Sequence, residues 1–112
     1  MSGSAKYSDW SQVMALIANA AEQGKHQSLL TMLMTPDERD ALIARVNICH
    51  ELLQGDLSQR QISQLLGVGV ATITRGSNEL KSHTQDEKEW LMALLQKSAK
   101  NVQDEEKGLE QE

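Results

Sequence analysis

Two arginines and a glycine are the residues of this chain best suited to act together. Arg75 stands beside Gly76, and Arg45 falls in an earlier apolar helical stretch. An arginine pair around a gap can hold a carboxylate by charge-assisted hydrogen bonds and press guanidinium planes on an aromatic ring. Gly76, having no side chain, would supply the gap. Spacing alone leaves other readings open: Arg45 could pair with Glu38 or another surface acid, and Gly76 could be a helix kink. Around Arg75 lie Ala71, Thr72, Thr74, Ser77 and Asn78, which are small, hydroxylated or amide-bearing. That is suitable chemistry for a helix lying in a DNA major groove. Arginine and asparagine can read base edges, hydroxyls reach phosphates, and small residues let the backbone come close.

These side chains need two short helices around a glycine turn, and residues 58–81 supply that pattern. Ser58 is an N-cap candidate, and Gln61 completes a capping box. Ile62, Leu65 and Leu66 follow at helical spacing, and Gly67 can end the helix in a left-handed conformation. A second helix starts near Val70, with Ile73 and Leu80 turned inward. Alone it is poor: Val70, Thr72, Ile73 and Thr74 are β-branched, and Gly76 costs about 1 kcal/mol against alanine. About three turns are marginal in water, so packing or a ligand must hold this segment in shape.

Composition narrows the function. The 112 residues are enough for one domain, but with 3% aromatics and no Phe a lone chain would have a thin core. The net charge of −5 argues at first against nucleic acid. Cations outnumber anions only in 58–81, where Arg60, Arg75 and Lys81 face Glu79. An acidic body with a modestly basic head fits a binder with few phosphate contacts, although chance could give the same distribution. The single cysteine, Cys49, excludes an internal disulfide and suits a reducing compartment. It sits in an apolar helical run, a poor setting for a nucleophile. His26 has no partner at metal-ligand spacing. There is no nucleophile–base pair and no phosphate loop, so an enzyme is the least favoured class. No apolar run approaches membrane-spanning length and no signal-peptide core is evident, so a soluble, cytoplasmic protein is expected.

The remaining elements are all helical. Residues 1–7 read as a loose arm. Ser8 is the expected cap of a helix to about Gln23, with Trp10, Val13, Met14, Ile17 and Ala21 in one stripe. His26 to Met34 is a short, apolar second helix. Thr35-Pro36-Asp37-Glu38 is a strong helix start, and that helix runs to about Gln54. Leu42, Val46, Cys49 and Leu53 form its main face, widened by Ala41, Ile43, Ile48 and Leu52. So much apolar surface predicts a homodimer built on residues 8–54. Thr84 and Glu87 cap a last helix carrying Trp90, Leu91, Leu94 and Leu95, expected to end near Lys97–Lys100. Residues 101–112 are polar and acidic, and disorder is expected there.

The stretch LLTMLMTPDERDALIARVNICHELLQGDLSQRQISQLLGVGVATITRGSNELK resembles the Trp repressor family. The resemblance rests on MTPDERDAL at 34–42, ELLQG at 51–55, SQR at 58–60 and above all ATITRGSN at 71–78. It is dense over about residues 29–81, looser in the flanking helices, and does not reach the last dozen residues. It implies an all-α fold of six helices in an intertwined homodimer. The dimer core would be 8–54 and 84–100 of a helical domain spanning 8–100, with the helix-turn-helix at 58–81. The implied activity is repression of tryptophan biosynthesis or transport operons, with L-tryptophan as corepressor, operator double-stranded DNA as partner, no other cofactor, no metal and no membrane.

By the same resemblance, Arg45 and Arg75 flank the indole, and Arg75 with Thr35 of the partner subunit addresses the ligand carboxylate. The carbonyls of Met32 and Met34 of the partner subunit accept from the ammonium, and Gly76 and Cys49 line the cavity. DNA contacts fall on Gln59, Arg60, Val70, Ala71, Thr72, Thr74, Arg75, Gly76, Ser77, Asn78 and Lys81, with Arg60 the expected guanine reader. Two positions depart from the family's best-known member. Glu79 replaces a serine near the ammonium and is expected to pair with it, and Ser63 replaces a lysine that reaches DNA. Two rivals stand beside this reading: a DNA-binding protein of the same fold that is constitutive or answers another metabolite, and a helical protein–protein dimer.

Overall fold

The computed structural model of the chain describes residue 3 and residues 5–110, with side chains through residue 98. Residues 111–112, the end of the expected disordered tail, and positions 1, 2 and 4 of the arm lie outside the described residues. Among the described residues there are six helices and no strand: α1 (Trp10–Glu22), α2 (His26–Leu33), α3 (Pro36–Gln54), α4 (Gln59–Leu66), α5 (Val70–Lys81) and α6 (Gln85–Glu110). The all-α expectation holds. None of these helices is long and apolar enough to cross a membrane. Contacts divide the chain into two compact units, Met1–Asp40 and Ala41–Glu112.

In the first unit α1 packs on α2. The cap of α1 is Asp9, not the expected Ser8. The Asp9 carboxylate accepts from the Gln12 backbone N–H at 3.0 Å and the Ser11 hydroxyl at 2.6 Å, and the Gln12 side chain accepts from the Asp9 N–H at 3.2 Å. A carboxylate can serve both donors while facing the positive helix end, which a neutral hydroxyl does less well. The Ser11 hydroxyl, then the Gln12 N–H, hold this carboxyl below its ordinary value. Before α3, Thr35 and Glu38 form the expected capping box: Glu38 N–H donates to Thr35 Oγ1 at 3.2 Å, and Thr35 N–H donates to Glu38 Oε1 at 2.9 Å. Neither α1 nor α2 buries any residue within the single chain, and Trp10 and Met32 stay 71% and 78% exposed.

The second unit has a small aliphatic core. Ile48 of α3, Ile62 of α4 and Ile73 of α5 are fully buried, with Leu52, Leu57, Leu66 and Val68 packed around them. The sequence puts Leu42, Val46, Cys49 and Leu53 on the main face of α3. In the structure Ile48 is the buried residue, while Leu42, Ile43 and Val46 are exposed. Apolar residues occur on every side of α3, so periodicity alone could not choose the face.

Helix α4 starts on the expected box: Gln61 N–H donates to Ser58 Oγ at 3.1 Å, and Ser58 N–H to Gln61 Oε1 at 2.8 Å. It ends at Gly67, whose φ of 69° is left-handed and therefore suits glycine. Ser63 fastens the turn, donating its hydroxyl to the Val68 carbonyl at 2.6 Å while its own carbonyl accepts from Gly67 N–H. Helix α5 packs back on α4 and turns Ile73, Gly76 and Ser77 inward, with Leu80 half-buried below them. Helix α6 continues to Glu110, well past its expected end near Lys97–Lys100, so helix replaces the expected disorder over 101–110. Gln103, Glu105, Glu106, Lys107 and Leu109 are good helix formers, and only Gly108 is poor.

Ile62→Ala is expected to cost about 2–5 kcal/mol in urea unfolding, because the side chain is wholly enclosed. Leu65→Ala, 60% exposed on the same helix, should cost about 0.5 kcal/mol or less. Equal losses would contradict this assignment of the core face.

Candidate functional site

The site grows from the contact of α5 with α3. A Cβ at Gly76 would stand 3.1 Å from Ile48 Cγ2 and 3.6 Å from Arg45 Cδ and Nε. Helix α5 therefore approaches α3 closely where Gly76 lacks a side chain, and the aliphatic stem of Arg45 lies against that gap. Arg45 Nε is buried and has no hydrogen-bond partner among the described residues. A buried, unpaired donor on a cation is costly, and such groups mark places where an acceptor belongs.

Beside this contact is a cavity of about 310 Å³, at the lower end of the ~300–1,000 Å³ usual for small-molecule sites. Its wall is mostly apolar. Arg45 and Cys49 of α3, Gly76, Glu79 and Leu80 of α5, His83 of the connector, and Glu87, Lys88, Trp90 and Leu91 of α6 line it. Burial pushes the Cys49 thiol above its ordinary value, opposed by the Arg45 charge, so Cys49 presents a neutral, apolar surface. Among the described residues no group of histidines, cysteines and carboxylates could hold a metal ion.

Four of the residues carried over for the ligand thus meet in one place: Arg45, Cys49, Gly76 and Glu79. Arg75 does not line the cavity and is exposed. Thr35, Met32 and Met34 belong to the first unit. There the Thr35 hydroxyl caps α3, and the Met34 carbonyl accepts from Arg39 Nη1 at 2.8 Å. The sequence reading missed His83 and the part of α6 that closes the cavity. A signal existed: His83 falls midway between Glu79 and Glu87, four residues from each.

Those three side chains are joined. His83 Nε2 lies 2.9 Å from Glu79 Oε2, and His83 Nδ1 lies 3.3 Å from Glu87 Oε2. Two carboxylates on the two ring nitrogens favour the imidazolium, so His83 is raised above its ordinary value, by Glu87 first and Glu79 second. Glu87 is itself fixed at the start of α6, accepting from Thr84 N–H at 3.0 Å through Oε1. That bond first, then His83, lowers the Glu87 carboxyl.

The exposed side of the head carries most of the expected DNA-contacting residues. Arg60, Val70, Ala71, Thr74, Arg75, Asn78 and Lys81 are exposed, and Gln59 and Thr72 are half-buried. Thr74 Oγ1 stands 3.0 Å from both Gln59 Oε1 and the Val70 carbonyl, tying the first turn of α4 to α5. Gly76 and Ser77 differ from the rest: both are buried on the inner side of α5, Ser77 at 8% exposure.

Comparison with known proteins agrees with this geometry. The family described as "Trp repressor protein" matches residues 8–95. A "Trp operon repressor homolog" of Aliivibrio salmonicida (strain LFI1238) is 89% identical over 103 residues, covering 92% of this chain and 95% of the relative. One from Aliivibrio fischeri (strain MJ11) is 85% identical over 107 residues, covering 96% and 99%. A third, from Vibrio cholerae serotype O1, is 70% identical over 89 residues, covering 80% and 86%. Since the match takes in the whole of α1 to α5 together with the part of α6 that closes the cavity, the chain belongs to the Trp repressor family.

Proposed function

We propose that this chain is a transcriptional repressor that grips operator DNA when L-tryptophan fills the cavity between α3, α5 and α6. One observation carries the reading: Gly76 opens a ligand-sized space on the inner side of the very helix whose outer side presents Thr74, Arg75 and Asn78. A ligand seated there touches the reading helix directly, so occupancy and helix tilt are coupled.

The roles follow from this arrangement. The indole packs on the stem of Arg45, on Cys49 and at Gly76, and the ligand brings an acceptor to the unpaired Arg45 Nε. Arg75 closes over the ring from its exposed position and, with Thr35 of the partner subunit, addresses the carboxylate. The carbonyls of Met32 and Met34 of the partner subunit and the carboxylate of Glu79 receive the amine. Pairing of two chains sets the reading heads about one DNA turn, ~34 Å, apart, as helix-turn-helix dimers require. Exposed Trp10, Met32, Leu33 and Trp90 supply apolar surface for that pairing. Gln59, Arg60, Val70, Ala71, Thr72 and Lys81 join Thr74, Arg75 and Asn78 on the DNA, with Arg60 reading guanine. Gly76 and Ser77 contribute through the backbone, since Ser77 is turned inward. Ser63 fastens the turn instead of reaching phosphate, so the salt dependence is about one ion shallower than a lysine there would give.

The ligand can shift the equilibrium between tilts only by its differential affinity for them, and a hundredfold effect on DNA binding needs about 2.7 kcal/mol. Operator titrations with and without L-tryptophan should differ by tens- to hundredfold; equal affinities would remove the gate. Arg75→Ala is expected to weaken both tryptophan and DNA binding by at least tenfold, and unchanged tryptophan affinity would exclude Arg75 from the site. Gly76→Ala places a methyl 3.1 Å from the enclosed Ile48. Its helix-propensity gain of about 1 kcal/mol should be offset by that clash, leaving stability little changed by thermal melting. Tryptophan affinity in calorimetry should still fall, because α5 must back away from α3.

A further inference from the structure

We propose that His83 is a positioning residue of the ligand site: by bridging Glu79 of α5 to Glu87 of α6 it holds the Glu79 carboxylate at the cavity rim, where that carboxylate selects ligands bearing an amine. The inference rests on the proposed tryptophan site and extends it to a residue outside α5.

The support is a chain of contacts. Glu87 Oε1 is engaged by the Thr84 N–H and hydroxyl, each at 3.0 Å, so the start of α6 fixes its orientation. Its other oxygen, Oε2, meets His83 Nδ1 at 3.3 Å, and that aims Nε2 at Glu79 Oε2, 2.9 Å away. The Ser82 hydroxyl also reaches Glu79 Oε2, at 3.3 Å. All the described contacts of the Glu79 side chain thus fall on Oε2, which leaves Oε1 for an incoming donor. Without the bridge, an exposed glutamate on the last turn of a helix would sample several rotamers, and ordering it for each ligand would cost entropy. All three side chains line the same cavity as Arg45.

The bridge needs both ring nitrogens as donors, hence the imidazolium. It is complete at pH values below the ordinary imidazole value and is lost as pH rises through the raised value of His83. The other charged or titratable groups on this cavity are Arg45 and Cys49 of α3 and Lys88 of α6. Desolvation opposes protonation of His83, and the two bonded carboxylates outweigh it. All three bridge members are exposed, so the effect is a modest factor rather than an on–off switch.

The test compares L-tryptophan with indole-3-propionate, which keeps the ring and carboxylate but lacks the amine. Both are titrated calorimetrically into the unaltered protein, His83→Ala and Glu87→Gln at pH 6 and pH 8.5. Glutamine preserves the capping box, so Glu87→Gln removes the charge without removing the start of α6. The expected preference for the amine-bearing ligand at pH 6 is about fivefold weaker in both variants. The unaltered protein should lose a similar factor between pH 6 and 8.5, while the His83→Ala ratio stays flat apart from titration of the ligands themselves. In the ligand-free protein, NMR titration should give His83 a midpoint above that of an ordinary histidine, lowered by Glu87→Gln. An unchanged ratio in His83→Ala with tryptophan still bound, or an ordinary His83 midpoint, overturns the inference alone. No tryptophan binding by the unaltered protein overturns the proposed site, and this inference with it.

Discussion

The structure depends on a side chain that is not there. Because residue 76 is glycine, α5 comes within van der Waals reach of α3, and Ile48 becomes the residue around which Ile62 and Ile73 close. A methyl at that position would stand 3.1 Å from Ile48 Cγ2, so the enclosed Ile48 or α5 itself would have to shift. The helix accepts a propensity penalty of about 1 kcal/mol in return for that close approach. The β-branched run Val70, Thr72, Ile73 and Thr74 adds to the local weakness. What holds α5 is therefore its packing on α4 and α3, and whatever alters that packing alters the presentation of Thr74, Arg75 and Asn78. A helix stable by itself would be a poor sensor.

The second wall of the cavity is built by hydrogen bonds rather than by aliphatic packing. The capping box that starts α6 fixes Glu87, Glu87 orients His83, and His83 reaches back to the last turn of α5 at Glu79. The connector Ser82–Thr84 is thus tied down at both ends although all its residues are exposed. The cavity is lined by a cation with an unpaired donor on α3 and by the carboxylates of Glu79 and Glu87. That mix of charges on a mostly apolar wall suits a zwitterion with an aromatic ring.

Much of this was legible in the sequence where local chemistry decides. The boxes Ser58–Gln61, Thr35–Glu38 and Thr84–Glu87 and the glycine after α4 give the helix boundaries, because caps act within one turn. The sequence points to Ser8 as the cap of α1, and the structure puts it on the next residue, Asp9, whose carboxylate also engages the Ser11 hydroxyl. The face of α3 was not legible, since its apolar residues surround the helix and only the approach of α5 selects Ile48. Gly76 stood out because glycine inside a helix needs a reason, and the reason is contact with Arg45 and Ile48. Ser77 was grouped with the polar outer residues by type, yet its register shares the inner side with Ile73 and Gly76. The His83 bridge joins the end of one helix to the start of another, so no pattern within a single helix announces it. The extension of α6 was missed because an acidic composition was read as disorder, while most of its residues favour helix.

The exposed apolar residues bear on how such a small core can suffice. Among the described residues three side chains are fully enclosed within the single chain, all in the second unit, and α1 and α2 of the first unit bury none. Trp10, Met32 and Leu33 in the first unit, and Ile43, Val46 and Trp90 in the second, keep half or more of their surface, or nearly so. Each would contribute about 1.5–3 kcal/mol if fully covered. The homodimer we propose supplies the missing cover with a second copy of the same surfaces. It would also let the proposed tryptophan site draw Thr35, Met32 and Met34 from one chain and Arg45, Gly76 and Glu79 from the other. Under that arrangement the ligand site exists only where two chains meet, so folding, pairing and corepressor binding draw on the same buried surface. A change on α1 that weakened the pairing of the chains would then be felt in tryptophan affinity.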